Sequence, residues 1–212
     1  MLAVLQESFW ERLAGVVGLK RATFEGIRRD AATASQAWWI VLLLGLSQGI
    51  VLVTTPVVLT FPGMSEEVAA DLEDFAAQLT FETTDQLVLG LAASVAGLVL
   101  TWYLTSWLLT AIGNRIARPT GQAVTTVEMR RLVAWGYSPS LAWYLLPIPI
   151  VGPMLALLGW LWSLVTGVMA VRAAFGVGIW QALVIRVAAF LAAVGVVILI
   201  AVALTTLAVL LA

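Results

Sequence analysis

The densest set of ligand-type side chains is a run of carboxylates, Glu66, Glu67, Asp71, Glu73, Asp74, Glu82 and Asp85, in a stretch without Lys or Arg. Such a run is the raw material of a hard-cation site. A calcium loop, however, spaces its ligands at alternating positions, which this run does not, so it reads as a solvated acidic face. The chain has no Cys and no His. That removes thiolate and imidazole nucleophiles and bases, zinc-finger spacings, disulfides and haem ligation. The remaining polar candidates are Gln48, Tyr103, Asn114, Tyr137 and Tyr144; only Gln48, Tyr103 and Tyr144 sit well inside a span, and one hydrogen bond between helices would account for each of these three. No catalytic, cofactor-binding or metal-ligating residue is assigned.

The elements that must position these residues are membrane helices. Of 212 residues 62% are hydrophobic and only 11% charged, and the mean hydropathy is +1.03, values outside the range of soluble domains. A net charge of −1 offers no basic surface for nucleic acid. A spanning helix needs roughly 20 apolar residues. Charge-free stretches of that kind run from Trp38 to Leu59, Leu87 to Ile112, Leu132 to Pro147, Met154 to Val171 and Val187 to Ala212. The expected fold is therefore an all-α integral membrane helical bundle of about five transmembrane helices. The third stretch is short and contains Pro139, so a re-entrant or kinked segment is its alternative. None of the five holds an ionisable residue. All 11 cations fall before the first span, between the second and third, or between the fourth and fifth, where Arg172 and Arg186 lie. By the positive-inside rule, this places the N-terminus in the cytoplasm and the C-terminus outside.

Residues 1–37 then form a cytoplasmic or interfacial amphipathic segment, and 38–212 a membrane domain with an acidic outer loop over 61–86. The N-terminus is not a cleavable signal, because Glu7 and Glu11 stand where a basic region is needed. Leu2, Leu5, Phe9, Leu13 and Val16 share one helical face, which suits a helix lying on the lipid surface or one packed on the bundle. In the outer loop, Ser65 can cap a short helix carrying Val68, Leu72, Phe75 and Leu79 on one stripe. Thr83 to Gln86 has the spacing of a capping box.

Small residues recur four apart: Gly45 and Gly49; Gly90 and Ser94; Ala93 and Gly97; Gly159, Ser163 and Gly167. Such ridges let backbones approach in lipid, with packing inside one chain as the default and a homo-oligomer as the minority reading. Pro139 bends the third span beside Tyr137, and Pro147, Pro149 and Pro153 make an irregular hairpin expected to be packed in protein. Trp38, Trp39 and Trp180 fall at interfaces. Trp102, Trp107, Trp143, Trp160 and Trp162 lie deeper, where core packing is favoured over a lipid or pigment groove.

From the third span onward the chain resembles the Yip family of membrane proteins. The likeness is carried by Gly121-Gln122 and the polar stretch to Arg131, by Ala134-Trp135-Gly136-Tyr137-Ser138-Pro139, and by the Pro147 to Pro153 turn. Trp160-Leu161-Trp162, Phe175-Gly176-Val177 and Gln181-Ala182-Leu183 add to it, as does Ala22-Thr23-Phe24-Glu25-Gly26-Ile27 before the first span. The resemblance implies about five spans with the N-terminus inside, in agreement with the charge pattern, and it defines no catalytic residues. Eukaryotic members are associated with Rab GTPases and vesicle traffic through a longer N-terminal region than the roughly 37 residues before the first span here, so Rab binding is not carried over. The expected function is a non-enzymatic organiser or accessory subunit of the bacterial inner membrane. It would take membrane lipid, and either a membrane-protein partner or a second copy, as its contacts. A small-molecule or lipid transporter is the first rival, and a cavity lined by Gln48, Tyr137 and Tyr144 would favour it. An intramembrane enzyme is the weakest.

Overall fold

The computed structural model describes residues 8–54, 65, 70, 83–118 and 122–211. The helix expected after Ser65 lies outside these residues, as do the face residues Leu2 and Leu5. Two short helices, α1 (Phe9–Val17) and α2 (Arg21–Arg29), precede the long α3 (Thr33–Thr54) and α4 (Thr84–Ile116). Then come α5 (Thr126–Gly136), a 3-10 helix (Ser138–Leu145), α6 (Val151–Phe175) and α7 (Ile179–Leu211). Four helices, α3, α4, α6 and α7, are long and apolar enough to cross a membrane.

Three helices begin with reciprocal caps. Ser8 and Glu11, Thr83 and Gln86, and Thr125 and Glu128 each exchange side-chain and backbone hydrogen bonds that satisfy two free N–H groups at a helix start. At the other end of α6, Gly176 takes a left-handed conformation (φ 66°), which a side chain would resist.

The long helices extend beyond the charge-free stretches. α3 starts at Thr33 rather than Trp38, α4 covers Thr84 to Ile116, α6 covers Val151 to Phe175, and α7 starts at Ile179 rather than Val187. A helix is limited by its caps and not by its first charge, so Arg172 falls inside α6 and Arg186 two turns inside α7. The expectation of spans without ionisable residues is corrected accordingly.

The third stretch is corrected most. It is no continuous helix from Leu132 to Pro147 but an α-helix that starts earlier, at Thr126, and gives way to 3-10 geometry at Ser138. Together, α5 and the 3-10 helix run antiparallel to α6 along its length. The Gln122 amide donates to Phe175 O, Thr166 bonds Gly136 O, Gly159 lies against Pro139, and Gly152 against Leu145 and Leu146. The rises of α5 and the 3-10 helix sum to about 33 Å, and α6 is about 37 Å long. If α6 crosses a bilayer, the broken segment beside it does too.

The turn that follows is irregular, as its prolines require, with Ile150 at φ 66° and 82% exposed. Pro147, Pro149 and Pro153 are exposed as well. The hairpin is thus not packed in protein. Its carbonyls are met within the turn instead, Leu145 O by the Ile148 amide (2.9 Å), Ile148 O by the Gly152 amide (2.8 Å) and Pro149 O by the Val151 amide (2.7 Å).

The core sits at the end where α1 and α2 dock. Val16, Phe24, Ile27, Trp135 and Phe175 are fully buried in one cluster. Gly113 of α4 lies directly against the Phe175 ring, with no room for a side chain. Gly97, on the same helix, has nothing within 4 Å of where a Cβ would stand. Gly113→Ala should therefore destabilise the bundle by about 2 kcal/mol, as overpacking does, whereas Gly97→Ala should stabilise it by about 0.5 kcal/mol. Thermal unfolding of the two variants in the same detergent checks this, and equal shifts would contradict the packing.

Candidate functional site

The break between α5 and the 3-10 helix has a definite hydrogen-bond solution. Pro139 has no N–H, and the Ser140 amide turns to Tyr137 O (2.9 Å) in 3-10 fashion instead of reaching Gly136 O. The Gly136 carbonyl is taken up from the neighbouring helix by the Thr166 hydroxyl, which donates to it at 2.7 Å. Gly136 faces Gly167, and a methyl on Gly136 would stand in ordinary van der Waals contact, 3.5 Å from the Gly167 Cα. Trp135 Nε1 and Ser138 Oγ, buried on either side of this point in the chain, find no partner among the described residues.

One end of the bundle gathers charge around the same segment. Arg12, 6% exposed, donates to Asp30 (2.5 Å) and to Gln36 Oε1 (2.9 Å), linking α1 to the start of α3. Arg131 of α5 donates to Asp30 O (2.6 Å), and Arg28 of α2 to Ala174 O (2.8 Å) near the end of α6. Three guanidinium groups thus serve as clamps on backbone or carboxylate and fix the short helices to the long ones. The N–H of Ala32 is the chief influence holding the Asp30 carboxyl below its ordinary range, and Arg12 and Arg131 add to it against the opposing effect of burial.

The polar residues singled out in the sequence are spent on structure. Asn114 brackets the loop after α4, its amide donating to Val124 O (2.9 Å) and accepting from Val124 N (3.0 Å). Tyr144 OH donates to Leu43 O (2.6 Å), and the Tyr103 ring lies 4.7 Å from the Arg130 guanidinium. Tyr137 caps α5 and its ring lies 6.0 Å from the Arg186 guanidinium. Gln48 is half-buried.

Except for Ala93 and Gly97, which are exposed, the small-residue ridges that can be followed lie between helices of this one chain. Gly45 and Gly49 face Val95 and Leu91 of α4, and Ser94 Oγ donates to Gly45 O (3.0 Å). Gly159 meets Pro139 and Ala142, while Gly167 meets Arg186. Ser163 is buried and donates to Trp160 O (2.6 Å).

Of the deeper tryptophans, Trp102 is buried and donates to Arg130 O (2.8 Å), whereas Trp107, Trp160 and Trp162 are exposed. Core packing accounts for the first only. The other three are on the outer surface, where Trp162 donates to Val17 O (2.9 Å).

A groove of about 250 Å³ opens between α3 and the 3-10 helix, lined by Ser47, Ile50, Val51, Trp143, Tyr144 and Pro147. It includes Tyr144 but neither Gln48 nor Tyr137. No group of three or more His, Cys, Asp or Glu that could hold a metal occurs among the described residues. Two features escaped the sequence reading. The Arg28, Arg131 and Ala174 convergence joins residues far apart in the chain, and Arg186 was hidden by ending spans at charges.

Because folded Asp30 titrates below its unfolded value, its contribution to stability is present above about pH 4 and is lost as pH falls through the folded value. Asp30→Asn should cost roughly 2 kcal/mol at pH 7, since Arg12 is then left buried with Gln36 alone. The gap to wild type should close at acid pH. Unfolding followed in detergent from pH 7 to pH 3 tests this, and a gap that does not change with pH would refute it.

No curated protein and no solved structure matches the chain. A family model described as the Yip1 domain matches residues 15–203, from the end of α1 to within α7. With most of its length so matched, the chain belongs to the Yip1 family.

Proposed function

We propose that the chain is a non-enzymatic organiser or accessory subunit that acts through helix-helix and lipid contacts in a bacterial inner membrane. It would cross five times, with the N-terminus in the cytoplasm and the C-terminus outside. Its third crossing would be the broken α5 and 3-10 pair. The observation that carries this reading is where polarity is spent. Arg12, Arg28, Arg131, Trp102, Asn114 and Thr166 all hold one element to another, and the Nε atoms of Arg28 and Arg131, which find no partner among the described residues, are buried. What remains for contact is the apolar outer surface, since only 6% of the most apolar stretch of α4 and 11% of that of α7 is buried. Clustering of the cations at one end supports the orientation.

Transport of a small molecule or lipid is the second reading, favoured by one observation: the groove at Tyr144 adjoins a broken helix, as substrate sites in transporters do. Extraction of the tagged protein from its native membrane in mild detergent separates the two. The organiser reading predicts a stoichiometric protein partner that is retained by wild type and lost when Phe190 and Leu191, both more than 60% exposed on α7, are changed to Ala. A homogeneous bundle carrying one bound metabolite or lipid in the groove, with no protein partner, would overturn it in favour of transport.

A further inference from the structure

Arg186 is the cation that lies furthest from a helix end in the candidate spans, and it has no ion pair among the described residues. It lies seven residues into α7, and its guanidinium is turned to Gly167, which lies eight residues before the end of α6. The two helices are joined by a short turn at Gly176 to Gly178. Both positions therefore lie about 11 Å from the turn along the helix axes. Trp180, 77% exposed, marks the interface near that turn.

Arg186 makes no hydrogen bond or ion pair among the described residues. Its one aromatic contact is with Tyr137, 6.0 Å from the guanidinium carbon to the ring centroid. Guanidinium does not lose its proton in a protein, so the charge persists even in lipid. Simple snorkelling does not describe the geometry, because the head group is held beside Gly167 well below the turn. The bare Gly167 backbone lets it sit close: a methyl there would stand 3.0 Å from both Cζ and Nη2, and the guanidinium would have to give way by a few tenths of an ångström. Arg186 is only half-buried, so part of its fork of donors faces outward.

We infer that Arg186, seated on Gly167 and the face of Tyr137, is a binding site for a phosphodiester oxygen pair of an anionic lipid in the leaflet on the cation-rich side. The planar fork matches two phosphate oxygens, and one negative charge neutralises the one positive charge that the bundle leaves open at this depth. Tyr137 positions the guanidinium and takes no part in binding the anion. This deepens the lipid half of the reading above. It is tested separately, on the isolated full chain, so the loss of a protein partner would not bear on it.

The purified chain is placed in nanodiscs of phosphatidylcholine with or without phosphatidylglycerol, and retained lipids are counted by native mass spectrometry after transfer to detergent. Wild type should keep phosphatidylglycerol over phosphatidylcholine by about tenfold. Arg186→Gln should bring the ratio near one. Arg115→Gln, which removes an exposed cation at the end of α4, should leave it within about twofold of wild type. Gly167→Ala keeps every charge but displaces the guanidinium, and should also lower the ratio; this variant decides the matter if Arg186→Gln fails to fold. Addition of inorganic phosphate should not displace the retained lipid. Displacement by phosphate would overturn the lipid assignment in favour of a soluble phosphate ligand, and a ratio unchanged in both Arg186→Gln and Gly167→Ala would overturn the site.

Discussion

A backbone that leaves α-helical geometry inside a bilayer exposes carbonyls that lipid cannot satisfy, and each such group must be met from within the protein. The bundle is arranged around one such group, the Gly136 carbonyl. Thr166 satisfies it from the neighbouring helix, where the Gly136 and Gly167 backbones lie side by side, and this bond ties α5 to α6. From there the antiparallel pairing runs in both directions, to Gly159 against Pro139 and to Gln122 against Phe175. The same bare Gly167 backbone receives Arg186 from α7, so three helices meet at one pair of glycines.

The charged end follows from this core. Once α5 lies along α6, Arg131 and the end of α6 stand close enough to be bridged by α2, through Asp30 O and through Arg28 on Ala174 O. The short helices are consequently part of the packed interior, with Val16, Phe24 and Ile27 fully buried. Packing on the bundle, rather than burial in lipid, is where the apolar face of α1 goes. At the far end the proline hairpin is exposed, and the 3-10 helix packs on α3 with the Tyr144 bond to Leu43 and a groove beside it.

Much of the helix content was legible from hydropathy alone, because a 20-residue apolar run has few other outcomes. The cap at Thr83 and Gln86 was legible from spacing, since the hydrogen bonds are local. Helix ends were not. Charge-free windows stop at Arg172 and Arg186, whereas the backbone continues to Gly176 and begins again at Ile179, and this hid the place of both cations within long helices. Pro139 announced a disturbance in the third span. Its form as 3-10 geometry beginning at Ser138 depends on Thr166, thirty positions away, which no local pattern reveals. The outward placing of Trp107, Trp160 and Trp162 was likewise undetermined, because aromatic residues suit a core and a lipid face equally.

In the five-crossing arrangement proposed above, residues 126–145 cross the membrane as a broken helix beside α6 rather than entering and returning. The chain has no native cysteine, so single cysteines can be read without background. Arg118→Cys, before the segment, and Ile148→Cys, after it, are each exposed positions. Each would be treated with a membrane-impermeant maleimide in intact cells and in inverted vesicles. The account predicts opposite labelling: Cys at 118 reacts only in inverted vesicles and Cys at 148 only in intact cells. Labelling of both from the same side would contradict it and make the segment re-entrant.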